Sequence, residues 1–132
     1  MAQRISNQAA KAKGRGFQQK VRDRIIEAYK EYGVVADDVK STAMGQGGED
    51  VQLSPFARQL FNYSVECKKH KSFAIYKPYE QCKTNAPTGA EPIVFIEGDR
   101  KKPLAVMDME HFFKMEEELE HLSRELERER PK

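Results

Sequence analysis

The segment Tyr63-Ser64-Val65-Glu66-Cys67-Lys68 constrains this chain more than any other. It reads as a strand, and a strand sends successive side chains to opposite faces. Glu66 and Lys68 then emerge together, while Val65 and Cys67 turn the other way, Cys67 toward the core. A carboxylate and an ammonium two residues apart in a buried strand are costly unless a site uses them. On a solvated strand the same pair is a surface ion pair worth little. Upstream, after the glycine-rich Met44-Gly45-Gln46-Gly47-Gly48, Asp50 opens a second strand-like run, Asp50-Val51-Gln52-Leu53. Two carboxylates and a lysine are the parts that hold a hard cation and a water beside a phosphate. Glu49 competes with Asp50, and strand alternation puts only one of them on the active face. Asp50 is preferred because Val51 and Leu53 then make the opposite face apolar.

The rest of the chain supplies a frame for these strands. Phe17, Val21, Ile25, Ala28 and Tyr32 recur at helical spacing and predict a helix from Phe17 to Tyr32, stopped by Gly33. A first strand is expected near Asp38–Thr42. Ser54-Pro55 reads as a cap followed by a first-turn proline, opening a short helix to Phe61. Beyond the Tyr63–Lys69 strand come Phe73-Ala74-Ile75-Tyr76 as a further strand and a helix from about Pro78 to Asn85. Ile93-Val94-Phe95-Ile96 and Leu104-Ala105-Val106-Met107 flank Gly98-Asp99-Arg100-Lys101-Lys102 and predict a hairpin. The expected class is therefore α/β. In the final helix Phe112, Met115, Leu119, Leu122 and Leu126 alternate steps of three and four, the spacing of a coiled-coil seam. A helix laid against its own domain would show the same pattern.

The acid, the gap and the acid-x-lysine on the following strand resemble the PD-(D/E)XK nuclease superfamily, and the element order resembles its αβββαβ core. The likeness to archaeal-type and phage-encoded Holliday junction resolvases spans residues 13–115. Its anchors are Lys13-Gly14, Phe17-Gln18, Asp50-Val51 and Val65-Glu66-Cys67-Lys68. The resemblance implies a restriction-endonuclease-like mixed sheet flanked by helices, with an added C-terminal helix. It implies a nuclease domain at 14–109, while composition reads residues 1–13 as a flexible basic arm and 110–132 as a charged amphipathic helix. Asp50 and Glu66, with the Cys67 carbonyl, would ligate Mg2+ or Mn2+, and Lys68 would act on water and phosphate. Gln18 stands where such enzymes usually carry a glutamate, and Gln81 resembles their accessory glutamine. A homodimer acting on branched DNA is the implied assembly.

Charge agrees with a nucleic-acid partner. Residues 1–24 hold seven Lys/Arg against one acid, and residues 110–132 hold eight Glu against five Lys/Arg. A basic arm is attracted to a phosphate backbone and an acidic tail is repelled. Arg4, Lys11, Lys13 and Arg15, with Lys69 and Lys71, are the candidate phosphate contacts. His70, His111 and His121 are scattered, and Cys67 and Cys82 lack zinc spacing, so zinc chemistry is not expected. The cysteines read as reduced and intracellular. No apolar run is long enough to span a membrane and Met1-Ala2-Gln3-Arg4 does not read as a secretory signal, so a cytoplasmic protein is expected, in a bacterial host if phage-encoded. The rival expectations are a flap- or end-processing nuclease and a nuclease-like DNA-binding protein that has lost activity.

Overall fold

A computed structural model describes residues 7–43, 48–70 and 73–131. The class is mixed α/β, and the chain divides into two compact units, residues 1–69 and 70–132.

In the first unit, α1 (Asn7–Tyr29) is followed by a 3-10 turn that ends at Gly33, whose φ of 101° only glycine adopts without strain. The buried face of α1 is Gln18, Val21, Ile25, Ala28 and Tyr29. Tyr29, rather than Tyr32, is the aromatic that enters the core, with its ring 5.9 Å from that of Phe61. The helix begins ten residues earlier than the apolar spacing predicts. Ala9, Ala10 and Ala12 favour helix, so propensity carries α1 beyond the reach of its apolar spacing. Residues 7–13, expected as a flexible arm, thus form the first turns of α1.

Strands β1 (Val39–Ser41) and β2 (Val51–Leu53) pair antiparallel, with Val39 opposite Leu53 and Ser41 opposite Val51. Val39 and Val51 point into the core beside Ile25, and Val34, Ala57 and Phe61 complete it. Helix α2 (Pro55–Leu60) is capped by Ser54, whose Oγ accepts from the Ala57 N–H at 3.0 Å and donates to Asp38 Oδ1 at 2.8 Å. Asp38 Oδ2 in turn accepts from the Val35 N–H. These bonds to Val35 and Ser54 hold the Asp38 carboxyl below its ordinary pKa.

The expected Tyr63–Lys69 strand reduces to one bridge, Val51 to Val65. The ladder stops because the Cys67 N–H, which a longer strand would give to a backbone carbonyl, goes to the Asp50 carboxylate instead.

In the second unit, the expected Phe73–Tyr76 strand is a turn, and α3 (Tyr76–Asn85) starts two residues before Pro78. Proline belongs in the first turn of a helix, where its missing N–H is no loss, so the helix must begin before it. Strands β3 (Ile93–Ile96) and β4 (Leu104–Met107) form the expected hairpin, with Ile93 opposite Met107 and Ile96 opposite Leu104. Helix α4 (Met109–Glu129) starts at Asp108, whose carboxylate accepts from the His111 N–H at 3.0 Å. The expected single mixed sheet is replaced, among the described residues, by two two-stranded antiparallel sheets. No helix among these residues is long and apolar enough to cross a membrane.

Candidate active site

The site is assembled where β2 begins. Asp50 donates its N–H to the Val65 carbonyl at 3.0 Å, so its backbone is tied to the segment that carries Glu66 and Lys68. Its side chain adds a second tie, Oδ2 accepting from the Cys67 N–H at 2.7 Å. A carboxylate offers about four lone-pair sites, so this one bond leaves acceptor capacity for a cation or a water. Asp50 and the Glu66–Lys68 segment are thereby joined through adjacent backbone, across fifteen residues of sequence that include all of α2.

Glu66 and Lys68 project together, as alternation predicts, while Val65 and Cys67 are half-buried on the opposite side. They are not, however, in a buried strand. Their side chains are 71% and 65% exposed, and the Lys68 ammonium lies 3.3 Å from Glu66 Oε1. The desolvation cost that singled them out in the sequence is therefore absent, because the segment lies at the surface and pairs on one side only. What the fold provides instead is proximity to Asp50.

Gln18 is the residue that fixes Asp50 from behind. Its side chain reaches from α1 with Nε2 at 2.8 Å from Ser41 Oγ, 2.7 Å from the Thr42 carbonyl and 2.7 Å from the Asp50 carbonyl. An amide has two hydrogens, so one of them is shared between two of these acceptors. The residue is only 3% exposed, and a buried amide needs such partners. Thr42 reinforces the join, donating its N–H to the Asp50 carbonyl at 2.9 Å and its hydroxyl to the Glu49 carbonyl at 2.6 Å. Glu27 is exposed and pairs with Lys30, on the side of α1 away from this bond set.

Glu49, the competing acid, is engaged elsewhere. Both of its carboxylate oxygens take the same Arg58 nitrogen, at 2.9 and 3.0 Å, and Arg58 also donates to the Tyr63 carbonyl at 3.2 Å. Arg58 thus clamps the residue before Asp50 to the start of the Glu66 segment. Nothing in the sequence singles it out, since it is one more charge on a short helix and its two partners lie nine and five residues away.

Burial, with the Asp50 and Glu66 carboxylates nearby, pushes the Cys67 thiol up to about 11. A thiol so far from ionisation at neutral pH is a poor nucleophile. The described residues contain no group of three or more His, Cys, Asp and Glu side chains placed to hold a metal. The oxygen donors carried by Asp50 and the segment tied to it are the Asp50 and Glu66 carboxylates and backbone carbonyls. That all-oxygen set suits a magnesium-like ion, which keeps several waters and needs only one or two protein carboxylates.

The other described candidates make none of these hydrogen bonds. Lys13 and Arg15 are exposed on α1, and Lys69 is exposed just past Lys68. Gln81 is exposed on α3 in the second unit, where it lines a shallow groove with Lys77, Cys82, Ile93 and Phe95. Arg4, Lys71 and the side chain of Lys11 fall outside the described residues. Compared with protein-family models, curated proteins and solved structures, the chain matches none.

Proposed function

We propose that this chain is a metal-dependent endonuclease that hydrolyses phosphodiester bonds in branched DNA, as a Holliday junction resolvase of the PD-(D/E)XK type. The observation that carries the reading is the double tie from Asp50 to Val65 and Cys67, which brings an acid beside an acid-x-lysine. Asp50, Glu66 and the Cys67 carbonyl would hold Mg2+ or Mn2+, which supplies phosphate polarisation and acidified water when bound. Lys68, released from Glu66, would orient the attacking water and counter charge on the phosphate. Gln18 holds the Asp50 backbone in place from the core side, which is a positioning role. Exposure of Glu66 and Lys68 suits a substrate as large as a DNA branch, which cannot enter a closed pocket. Two related strands of a four-way junction call for two copies of the chain, hence a homodimer working in the cytoplasm.

A nuclease-like DNA-binding protein without cleavage is the second reading. It is favoured by the Glu66–Lys68 ion pair, in which each side chain occupies the other. Incubation with matched duplex, flap and four-way-junction DNA separates the readings. The proposal expects junction cutting with magnesium or manganese, none with chelator, and binding without cutting in calcium. Preferential cutting of flaps or ends moves the assignment to a repair or recombination nuclease. Junction binding with no cutting in any metal favours the second reading.

A further inference from the structure

The groove on the second unit lies between one helix and one strand. Lys77, Gln81 and Asn85 stand at steps of four on α3 and so share a face of that helix. Ile93 and Phe95 stand two apart on β3 and share a face of that strand. The Cys82 thiol, which donates to the Ile93 carbonyl at 3.7 Å, closes the groove between them. Its volume of about 810 Å3 is that of a ligand site, although it is shallow and open. Phe95 is 73% exposed, against the habit of a residue type that is most often buried. Among the described residues that line the groove, Lys77 alone is charged. The side chains of Lys77, Gln81 and Asn85 make no hydrogen bond or ion pair among the described residues.

We propose that this groove seats an unpaired nucleotide of a single DNA strand, its base stacked on Phe95, its polar edge at Gln81 and Asn85, and its phosphate beside Lys77. Each part of the lining answers one part of that ligand. An exposed aromatic ring offers a stacking face to any base. Two amides carry donors and acceptors both, and so match a base edge that carries both. Lys77 is the counter-charge for a phosphate, and it lies in the first turn of α3, where the helix dipole adds to its charge. An acidic peptide would meet Lys77 but has no regular use for an exposed ring, and a neutral apolar segment would leave Lys77 without a counter-charge. Bases in a duplex are stacked already, so the groove selects unpaired stretches such as those at a branch. The inference rests on the nuclease reading only for DNA as the source of the strand. Binding is measured without metal, so its failure leaves the cleavage assay untouched.

Fluorescence anisotropy of the full chain with labelled oligothymidylate in chelator tests it, with a duplex of the same length alongside. The wild type should bind the single strand. Phe95→Leu keeps an apolar side chain and removes the ring. It should weaken that binding about tenfold, on the scale of one stacked base, whereas Phe95→Trp should retain it. Both variants are shown folded by circular dichroism. Duplex affinity should barely change in Phe95→Leu, because paired bases present no free face. Lys77→Gln should flatten the slope of log affinity against log salt by about 0.7, as for one phosphate of a single strand. A wild type that binds duplex and junction but no single strand overturns the inference and leaves the nuclease reading standing. Equal single-strand affinity in Phe95→Leu and wild type also overturns it, since the contact is then apolar rather than a stack. Displacement of the strand by oligoglutamate at equal charge concentration does the same, and makes the groove a site for acidic peptides.

Discussion

Gln18 carries more of the site than any charged residue does. Its amide meets β1, the residue after it and Asp50 together. Leucine there keeps the volume and removes the donor, leaving the Thr42 carbonyl without this partner in the interior. The expected cost is about 1–3 kcal/mol, the usual penalty for a buried group left unpaired, read from the urea midpoint of Gln18→Leu against wild type. An unchanged midpoint would mean that the bonds are incidental. Cys67 gives the site a pH signature. Its thiol holds its proton to about pH 11 in the folded chain but ionises near its ordinary value of 9.0 when unfolded. Between those values the unfolded state binds fewer protons, so stability falls as pH rises from about 9 toward 11 and is unaffected by this group below 9. Cys67→Ser should remove that part of the slope in denaturation series across this range. In the wild type, alkylation by iodoacetamide at pH 8.5 should be slow until urea unfolds the chain.

At the scale of elements, local chemistry was written in the sequence and pairing was not. Ser54 as cap, Pro55 in the first turn, Gly33 as stop and the β3–β4 hairpin all act within a few residues, and all stand where the sequence puts them. Gly33 makes this testable. Alanine at φ 101° is strained, and Gly33→Ala should destabilise the first unit by roughly 1–2 kcal/mol in thermal unfolding. The Tyr63–Lys69 strand illustrates the other case. Its alternation is visible and its side chains do alternate, but whether a strand pairs depends on the partner backbone, and Asp50 takes the Cys67 N–H with its side chain. Phe73–Tyr76 has the composition of a strand and no partner, so the proline two residues later decides for helix. The site was legible in part for the same reason. Asp50, Glu66 and Lys68 follow a spacing, whereas Arg58 acts through two contacts that no periodicity reveals.

The whole molecule presents its positive charge at one end of the sequence and its excess of acid at the other. Lys13 and Arg15 are exposed on the first turns of α1, which precede the buried stretch that starts at Gln18. Replacing Arg4, Lys11 and Lys13 by glutamine removes three cations. If all three displace counterions from duplex DNA, the slope of log affinity against log salt should flatten by up to about 2.7. A slope equal to the wild type would make this end a bystander in DNA binding.

The central claim is that Asp50, Glu66 and Lys68 are gathered to cut DNA. It is tested most directly by the single-turnover rate of magnesium-supported four-way-junction cleavage in wild type and in Lys68→Ala. Lys68 is exposed, and its contact with Glu66 is a surface ion pair, so its loss should leave folding intact and cannot act through stability. The account predicts junction cleavage by the wild type and a fall of at least about a hundredfold in the variant, with junction affinity nearly unchanged. A folded Lys68→Ala that cuts at the wild-type rate would contradict it.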